Sequence, residues 1–218
     1  ALVFHEIERE MKYISSDLNT TNVNITSLKT RKKNLNLLLE NFSPILKQKK
    51  KQTLMASVIV DRAVQINQSR FNYHNIIFSS PLLSKESPDF KIIGPGNLLL
   101  SSISNIIDNA IYWVSAQHEI LGDNHKSAIY IGSDVKSFDG DAIIIADTGL
   151  GFTLEPEDMI QPFKTTKEGG MGMGLYFVNL VMETIGGKLL FPDISDLDIP
   201  KVYNGACIVL IFPKTKQQ

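Results

Sequence analysis

Three stretches hold residues whose types and spacing could do chemistry. "DTGLGF", residues 147–152, places a lone carboxylate, Asp147, at the end of the apolar run "DAIIIA" and follows it with Gly149 and Gly151. A tight turn explains those glycines. So does a ligand that needs the carboxylate and a close backbone approach together. In "NIIDNA", Asn105 and Asn109 stand four apart, one turn above each other on a helix. The pair can cap neighbouring backbone groups, or its amide oxygens can ligate a hard cation. Mg2+ suits the second role, because it accepts few protein oxygens and takes the rest from water and substrate phosphates. "PFKTTKEGGMGMGL", residues 162–175, sets Gly169, Gly170, Gly172 and Gly174 before a helix that begins near Leu175. A flexible loop explains this run, and so does a phosphate cradle at the positive end of a helix dipole. Lys164 and Lys167 add mobile cations, and Thr165 and Thr166 add hydroxyl donors. The combination favours phosphate.

The elements that must position these residues follow from periodicity. Phe4, Ile7, Met11, Ile14 and Leu18 recur at spacings of three and four, and Leu28, Leu35, Leu38, Leu39 and Phe42 resume the pattern after "LNTTNVNITS". This predicts two helices, or one long helix with a weak centre, whose apolar stripe is buried by self-association. Pro44 and the charge run after it place a domain boundary near residues 43–52, with a helical segment over 1–46 and a second domain over 47–218. "TLMASVIVDRAVQINQSRF" reads as helix, "NIIFSS" as a short strand and "LSKESPDFKIIGPG" as irregular. The helix carrying the asparagines has the stripe Leu99, Ile103, Ile106, Ala110 and Val114. "AIYIGSDVK" and "DAIIIAD" read as strands joined at Asp139-Gly140, "GLYFVNLVMETIGG" as a helix ended by glycines, and "KLLF" and "ACIVLIF" as closing strands. The predicted class is α+β, a mixed sheet with its helices on one face.

Composition narrows the function. The chain has 218 residues, 43% apolar and 21% charged, with a net charge of −1. There is no general basic field to hold nucleic acid or an anionic membrane. The lysine runs "KTRKK" and "KQKKK" read as solvated helix faces or linkers. A single cysteine, Cys207, sits in an apolar run and reads as core, in keeping with a reducing, cytoplasmic setting. No stretch approaches the roughly 18 apolar residues of a membrane helix. The chain starts without methionine, which reads as a fragment. Any membrane attachment would belong to sequence upstream of residue 1.

Taken in order, "NIIDNA", "DTGLGF", "PFKTTK" and "GMGMGL" resemble the N, G1, F and G2 boxes of the GHKL superfamily of ATP-binding domains, over roughly residues 53–218. The resemblance implies a Bergerat-type α/β sandwich that binds ATP and Mg2+. It implies that Asp147 accepts a hydrogen bond from the adenine amino group, with Gly149 and Gly151 letting the backbone pass close to the base. Asn109 then holds the metal, with Asn105 supporting it or touching phosphate, and Trp113 lines the adenine pocket. Phe163, Thr165, Thr166 and Lys167 belong to a mobile lid. Gly170, Gly172, Gly174 and Leu175 wrap the phosphates.

Hydrolytic members of the superfamily carry Glu four residues before the metal-binding Asn. Here that position is Asn105, and an amide cannot take a proton from water. The lid and the helix after it resemble those of nitrogen-regulator-type sensor histidine kinases. "FHEIEREMKYI" resembles their H box, which implies His5 as phosphoacceptor and Glu6 as the group that removes or orients its proton. Glu10 stands where the family usually has proline, and Arg9 where a small polar residue supports phosphatase activity, so no such activity is expected. His74, His118 and His125 read as structural or surface residues. The resemblance implies a homodimer joined through the N-terminal helices and phosphotransfer to an aspartate of a response-regulator receiver domain. The alternative is a GHKL ATPase, or a nucleotide-switched dimerisation module without histidine phosphorylation.

Overall fold

The computed structural model describes residues 2–19, 25–47 and 51–215. The chain forms two compact units, residues 1–49 and 50–218.

The first unit is a helical hairpin of α1 (Leu2–Leu18) and α2 (Ile25–Lys47). Two helices, not one, follow from "LNTTNVNITS". An ionic clasp fixes their pairing. Arg31 donates from Nε to Asp17 at 2.7 Å, and Ser27 donates to the same carboxylate at 2.8 Å. The Arg31 guanidinium also lies 4.6 Å from the Tyr13 ring centroid and 3.9 Å from Glu10. The apolar stripe is only partly covered within the hairpin, since Met11, Leu18 and Leu39 remain exposed. Pro44 lies within α2. The helix continues three residues past it to Lys47.

The second unit holds a five-stranded mixed sheet in the order β2-β4-β5-β7-β6, with β2 (Ile77–Ser79), β4 (Ala128–Asp134), β5 (Asp141–Asp147), β6 (Lys188–Leu190) and β7 (Cys207–Phe212). Only β2 and β4 pair in parallel. Three long helices, α3 (Ala56–Tyr73), α5 (Gly96–Leu121) and α7 (Gly174–Thr184), pack on one face. The expected α+β sandwich is the observed architecture.

Three stretches differ from their sequence reading. Residues 52–55 form strand β1 (Gln52–Met55) instead of opening the helix, and β3 (Lys91–Gly94) arises within the stretch read as irregular. The two pair antiparallel as a ribbon apart from the main sheet. Each is four residues long and lacks a strong pattern alone, so only the pairing makes them strands. A one-turn helix α4 (Pro81–Ser84), capped by the Ser80 hydroxyl, also lies in the stretch between.

The sheet face away from the helices is covered too. Ala128, Tyr130, Ala142, Ile144, Cys207, Val209 and Ile211 form a second core layer under Phe138, Ile194, Leu197 and Ile199. Burial on both faces explains why β5 and β7 read as continuous apolar runs instead of alternating ones. Phe138 comes from the β4–β5 turn, and the rest of the cover is the chain between β6 and β7. With Phe152, Leu154 and Met159 it walls a cavity of about 450 Å³ that reaches Cys207. Burial, then the charge of Asp147, pushes the Cys207 thiol up to about 12, so it behaves as core and not as a nucleophile.

Candidate functional site

Asp147 is the last residue of β5, and strand alternation puts it on the helix-packed face with Ile143 and Ile145. Its side chain is 4% exposed. One oxygen, Oδ1, accepts the backbone N–H of Gly149 at 2.8 Å and of Ala206 at 3.0 Å. Both bonds fall on the same oxygen, which leaves Oδ2 for a donor from a ligand. Burial raises the carboxyl to about 6 against the opposing pull of the Ala206 and Gly149 amides. Its backbone is held in the same way: Asp147 N–H donates to Ala206 O at 3.0 Å, and Gly205 N–H donates to Asp147 O at 2.9 Å. Thr148 ties the turn to the start of β4, accepting Ala128 N–H on its hydroxyl at 3.0 Å.

The glycines after Asp147 have separate reasons. A Cβ on Gly149 would lie 2.9 Å from the carbonyl carbon of Trp113, so residue 149 passes directly against α5. Gly151 has φ of +76°, a left-handed backbone that side chains disfavour. The structure therefore brings Asp147, Gly149 and Trp113 together, with Trp113 half-buried beside the turn.

On α5, Leu99, Ile103, Ile106, Ala110 and Val114 are all buried. Burying each of the large members is worth about 2 kcal/mol, which together fixes the rotation of the helix more firmly than its polar contacts could. That rotation sets Asn105 and Asn109 half-buried at the edge of the core. The amides cap nothing: neither has a hydrogen bond to another described residue. Asn105 Oδ1 lies 3.7 Å from where a Cβ on Gly174 would stand. Gly174 opens α7, whose N-terminus has no side-chain cap. The unpaired amide of Asn105 thus lies beside a helix end whose first N–H groups lack intrahelical partners. No group of three or more His, Cys, Asp or Glu suited to a metal occurs among the described residues. A hard cation here would rest on amide oxygens and on oxygens of its substrate, as Mg2+ does.

The loop before α7 is closed at its base. Phe163 N–H donates to Gly172 O at 2.9 Å, and Phe163 itself has φ of +65°. Gly172 also has φ of +65°, and a Cβ there would lie 2.6 Å from Lys164 N. Gly170 N–H donates to Lys167 O at 2.9 Å. Gly170 and Gly172 therefore have conformational roles in shaping the loop, whatever they bind. Both threonines are exposed: the Thr165 hydroxyl accepts Lys167 N–H at 3.0 Å, and the Thr153 hydroxyl donates to that of Thr166 at 3.4 Å. The structure does not bring either threonine to Asn105 or Asn109. Leu175 is half-buried in the first turn of α7.

His5 and Glu6 lie on α1 in the other unit, and their side chains fall outside the described residues. His74 caps α3 and meets the Tyr73 ring edge-on at 4.9 Å. His118 and His125 face each other at 6.5 Å, and His125 lies 3.4 Å from Thr148 Oγ1. Burial, and then His118, holds His125 below the usual imidazole value.

Sequence reading missed two sets of residues. Asp108 and Tyr112, beside the asparagines on α5, engage Lys167. The signal was a charge next to Asn109 on a helix otherwise apolar around it. Gly205 and Ala206 clamp Asp147 from 58 and 59 positions away, and only the glycine in "NGAC" hinted at a close approach. A Cβ on Gly205 would stand 2.5 Å from both Asp147 Oδ1 and Gly149 N. Gly205→Ala should therefore cost about 1–3 kcal/mol of stability and weaken ligand binding at Asp147 together. A thermal melt and a titration check this; an unchanged melting point would mean that the clamp relaxes freely.

The family described as histidine kinase-, DNA gyrase B-, and HSP90-like ATPase matches residues 95–216, which contain every site residue placed above in the second unit. The C4-dicarboxylate transport sensor protein DctB of Rhizobium meliloti is 30% identical over 86 residues, 39% of this chain and 13% of that protein. The nitrogen regulation protein NtrY of Azorhizobium caulinodans is 31% identical over 100 residues, 44% of this chain and 12% of that protein. The chain thus matches about an eighth of the length of these relatives. A mycobacterial sensor histidine kinase, MprB, shares the fold with a TM-score of 0.56 at 18% identity, covering 75% of this chain and 97% of that one. With the family match spanning more than half of the sequence and the buried Asp147, the amide pair and the glycine loop all inside it, the chain belongs to the histidine kinase-, DNA gyrase B- and HSP90-like ATPase family.

Proposed function

We propose that the chain is the catalytic core of a sensor histidine kinase, which uses Mg-ATP to phosphorylate His5 and then passes the phosphoryl group to an aspartate of a response-regulator receiver domain. The observation that carries the kinase over the hydrolase is the amide at Asn105. The carboxylate next along this face, Asp108, is paired to Arg70 at 2.6 Å and Lys167 at 2.9 Å. Two cations make it a poor base for activating water. In this reading Asp147 Oδ2 accepts the adenine amino N–H, and Trp113 and Gly149 wall the base. Asn109 and Asn105 would hold Mg2+, which supplies positive charge to the phosphates when bound. The uncapped N-terminus of α7 at Gly174 and the Lys167 ammonium face the remaining phosphate charge. The unprotonated nitrogen of neutral His5 attacks the γ-phosphorus, an N–P bond forms, and the P–O bond to the ADP leaving group breaks. Glu6 holds the proton on the other ring nitrogen and stabilises the cation that forms.

The exposed Met11, Leu18 and Leu39 on the hairpin support dimerisation through residues 1–46 by a second copy of the same surface. Among the described residues no helix is long and apolar enough to cross a membrane. A cytoplasmic location fits a core that meets ATP and a receiver domain. The test is incubation with γ-labelled ATP and Mg2+. Protein-bound label that is acid-labile and alkali-stable supports the kinase. Free phosphate without labelled protein favours the ATPase, and nucleotide binding with neither product favours a switched dimerisation module.

A further inference from the structure

Asp108 and Tyr112 form a second row on α5, displaced by about 60° from the row of Asn105 and Asn109. Both residues of this row contact the lid. Lys167 Nζ donates to Asp108 Oδ2 at 2.9 Å and sits 4.6 Å from the Tyr112 ring centroid. The next residue, Glu168, donates its backbone N–H to the Tyr112 hydroxyl at 3.2 Å. These contacts join the loop to α5 across 56 to 59 positions of sequence. Behind them, Arg70 of α3 pairs with the other Asp108 oxygen, Oδ1, at 2.6 Å, and is itself steadied by Asn67 Oδ1 at 3.3 Å. Burial raises the Asp108 carboxyl, but the hydrogen bonds and charges of Lys167 and Arg70 outweigh it and hold the group below its usual value.

The charge count gives this triad a direction. One carboxylate serves two cations, so the cluster carries a net charge of 2 − 1 = +1. With Arg70 taking Oδ1, Asp108 fixes the lysine without neutralising it. Lys167 has three N–H donors, and Asp108 uses one. We propose that Asp108 is a positioning residue: with Tyr112 it anchors the lid to α5 and presents the Lys167 ammonium to the terminal phosphate of a nucleotide held by Asn105 and Asn109. The phosphate half of this inference rests on the function proposed above. The anchoring half does not.

The test uses the whole chain and Asp108→Asn, Asp108→Glu, Lys167→Met and the double variant Asp108→Asn with Lys167→Met. Asp108 is 40% exposed at its side chain, so the isosteric amide leaves the core unchanged. Without nucleotide, hydrogen exchange at the Lys167 and Glu168 amides should quicken about 10-fold in Asp108→Asn, with α5 amides unaffected. With Mg2+ present, calorimetry should show ATP affinity about 10-fold weaker and ADP affinity changed less than 2-fold. Asp108→Glu should restore most of both. Lys167→Met should give the same ATP loss, and the double variant no further loss, since the two residues act as one unit. Unchanged exchange would overturn the anchor. Equal losses for ATP and ADP, or additive losses in the double variant, would overturn the positioning of Lys167 at the terminal phosphate. If the unmodified chain bound neither nucleotide, the proposed function and the phosphate half would fall together, while the exchange comparison would still decide the anchor.

Discussion

Asp147→Ala should weaken ATP binding by roughly 10- to 150-fold, the equivalent of 1.5–3 kcal/mol for a hydrogen bond to a charged acceptor. The geometry makes this contact hard to replace. Oδ1 is occupied by two backbone amides, and the carboxylate is nearly sealed from water. Alanine also strands the N–H groups of Gly149 and Ala206, so part of its effect would be loss of the turn. Asp147→Asn separates the two, because the amide keeps an acceptor at the Oδ1 position.

The same carboxyl predicts a pH dependence with a definite sign. With two N–H groups on Oδ1, the proton of the acid form resides on Oδ2, the oxygen that faces the ligand. Protonation then sets an O–H against the N–H of the adenine amino group. Burial raises the group to about 6. Affinity should be level at neutral pH and fall on acidification through about 6, by up to about tenfold per unit. ATP phosphates titrate nearby, so the measurement is the difference between the profiles of the unmodified chain and Asp147→Asn. Identical profiles would remove Asp147 from the base contact. Stability carries the opposite sign. A carboxyl raised from 3.8 in the unfolded chain to about 6 in the fold destabilises above the folded value. The cost is about 3 kcal/mol, and it is relieved as pH falls from 6 towards 4.

His5→Ala should abolish acid-labile labelling, by about 10³-fold or more, while ATP affinity stays within about threefold. A nucleophile cannot be substituted by alanine, whereas every group assigned to the nucleotide lies in residues 50–218. The other histidines are poor substitutes: His74 closes a helix, and His118 and His125 pack against one another beside Thr148. Glu6→Gln should slow labelling by about 10²-fold without changing where the label resides, as expected of a group that handles a proton. Label persisting at full level in His5→Ala would move the acceptor elsewhere and return the hairpin to a purely dimerising role.

How much was legible beforehand depends on the range of each interaction. The asparagine helix, the strand ending in Asp147 and the glycine loop could be read because each is local. A stripe at spacings of three and four makes α5, a run of β-branched residues makes β5, and glycines at positive φ make the loop. The pairing of β1 with β3 could not be read, since neither four-residue strand exists without its partner. The cover over the second face of the sheet was hinted at only by the unbroken apolar character of β5 and β7.

The sequence by itself determined which chemical groups are present, their order, and the local elements that carry them. Tertiary structure decided which of them meet. It put Gly205 and Ala206 against Asp147 and so chose the oxygen left for a ligand. It set the Asn105 amide beside Gly174, and it turned Asp108 from one more charge on a helix into the partner of Lys167 and Arg70. The physical reason is that periodicity and propensity act over a few residues. A hydrogen bond or ion pair between chain positions nearly 60 apart forms only after burial of the core has fixed where both elements lie.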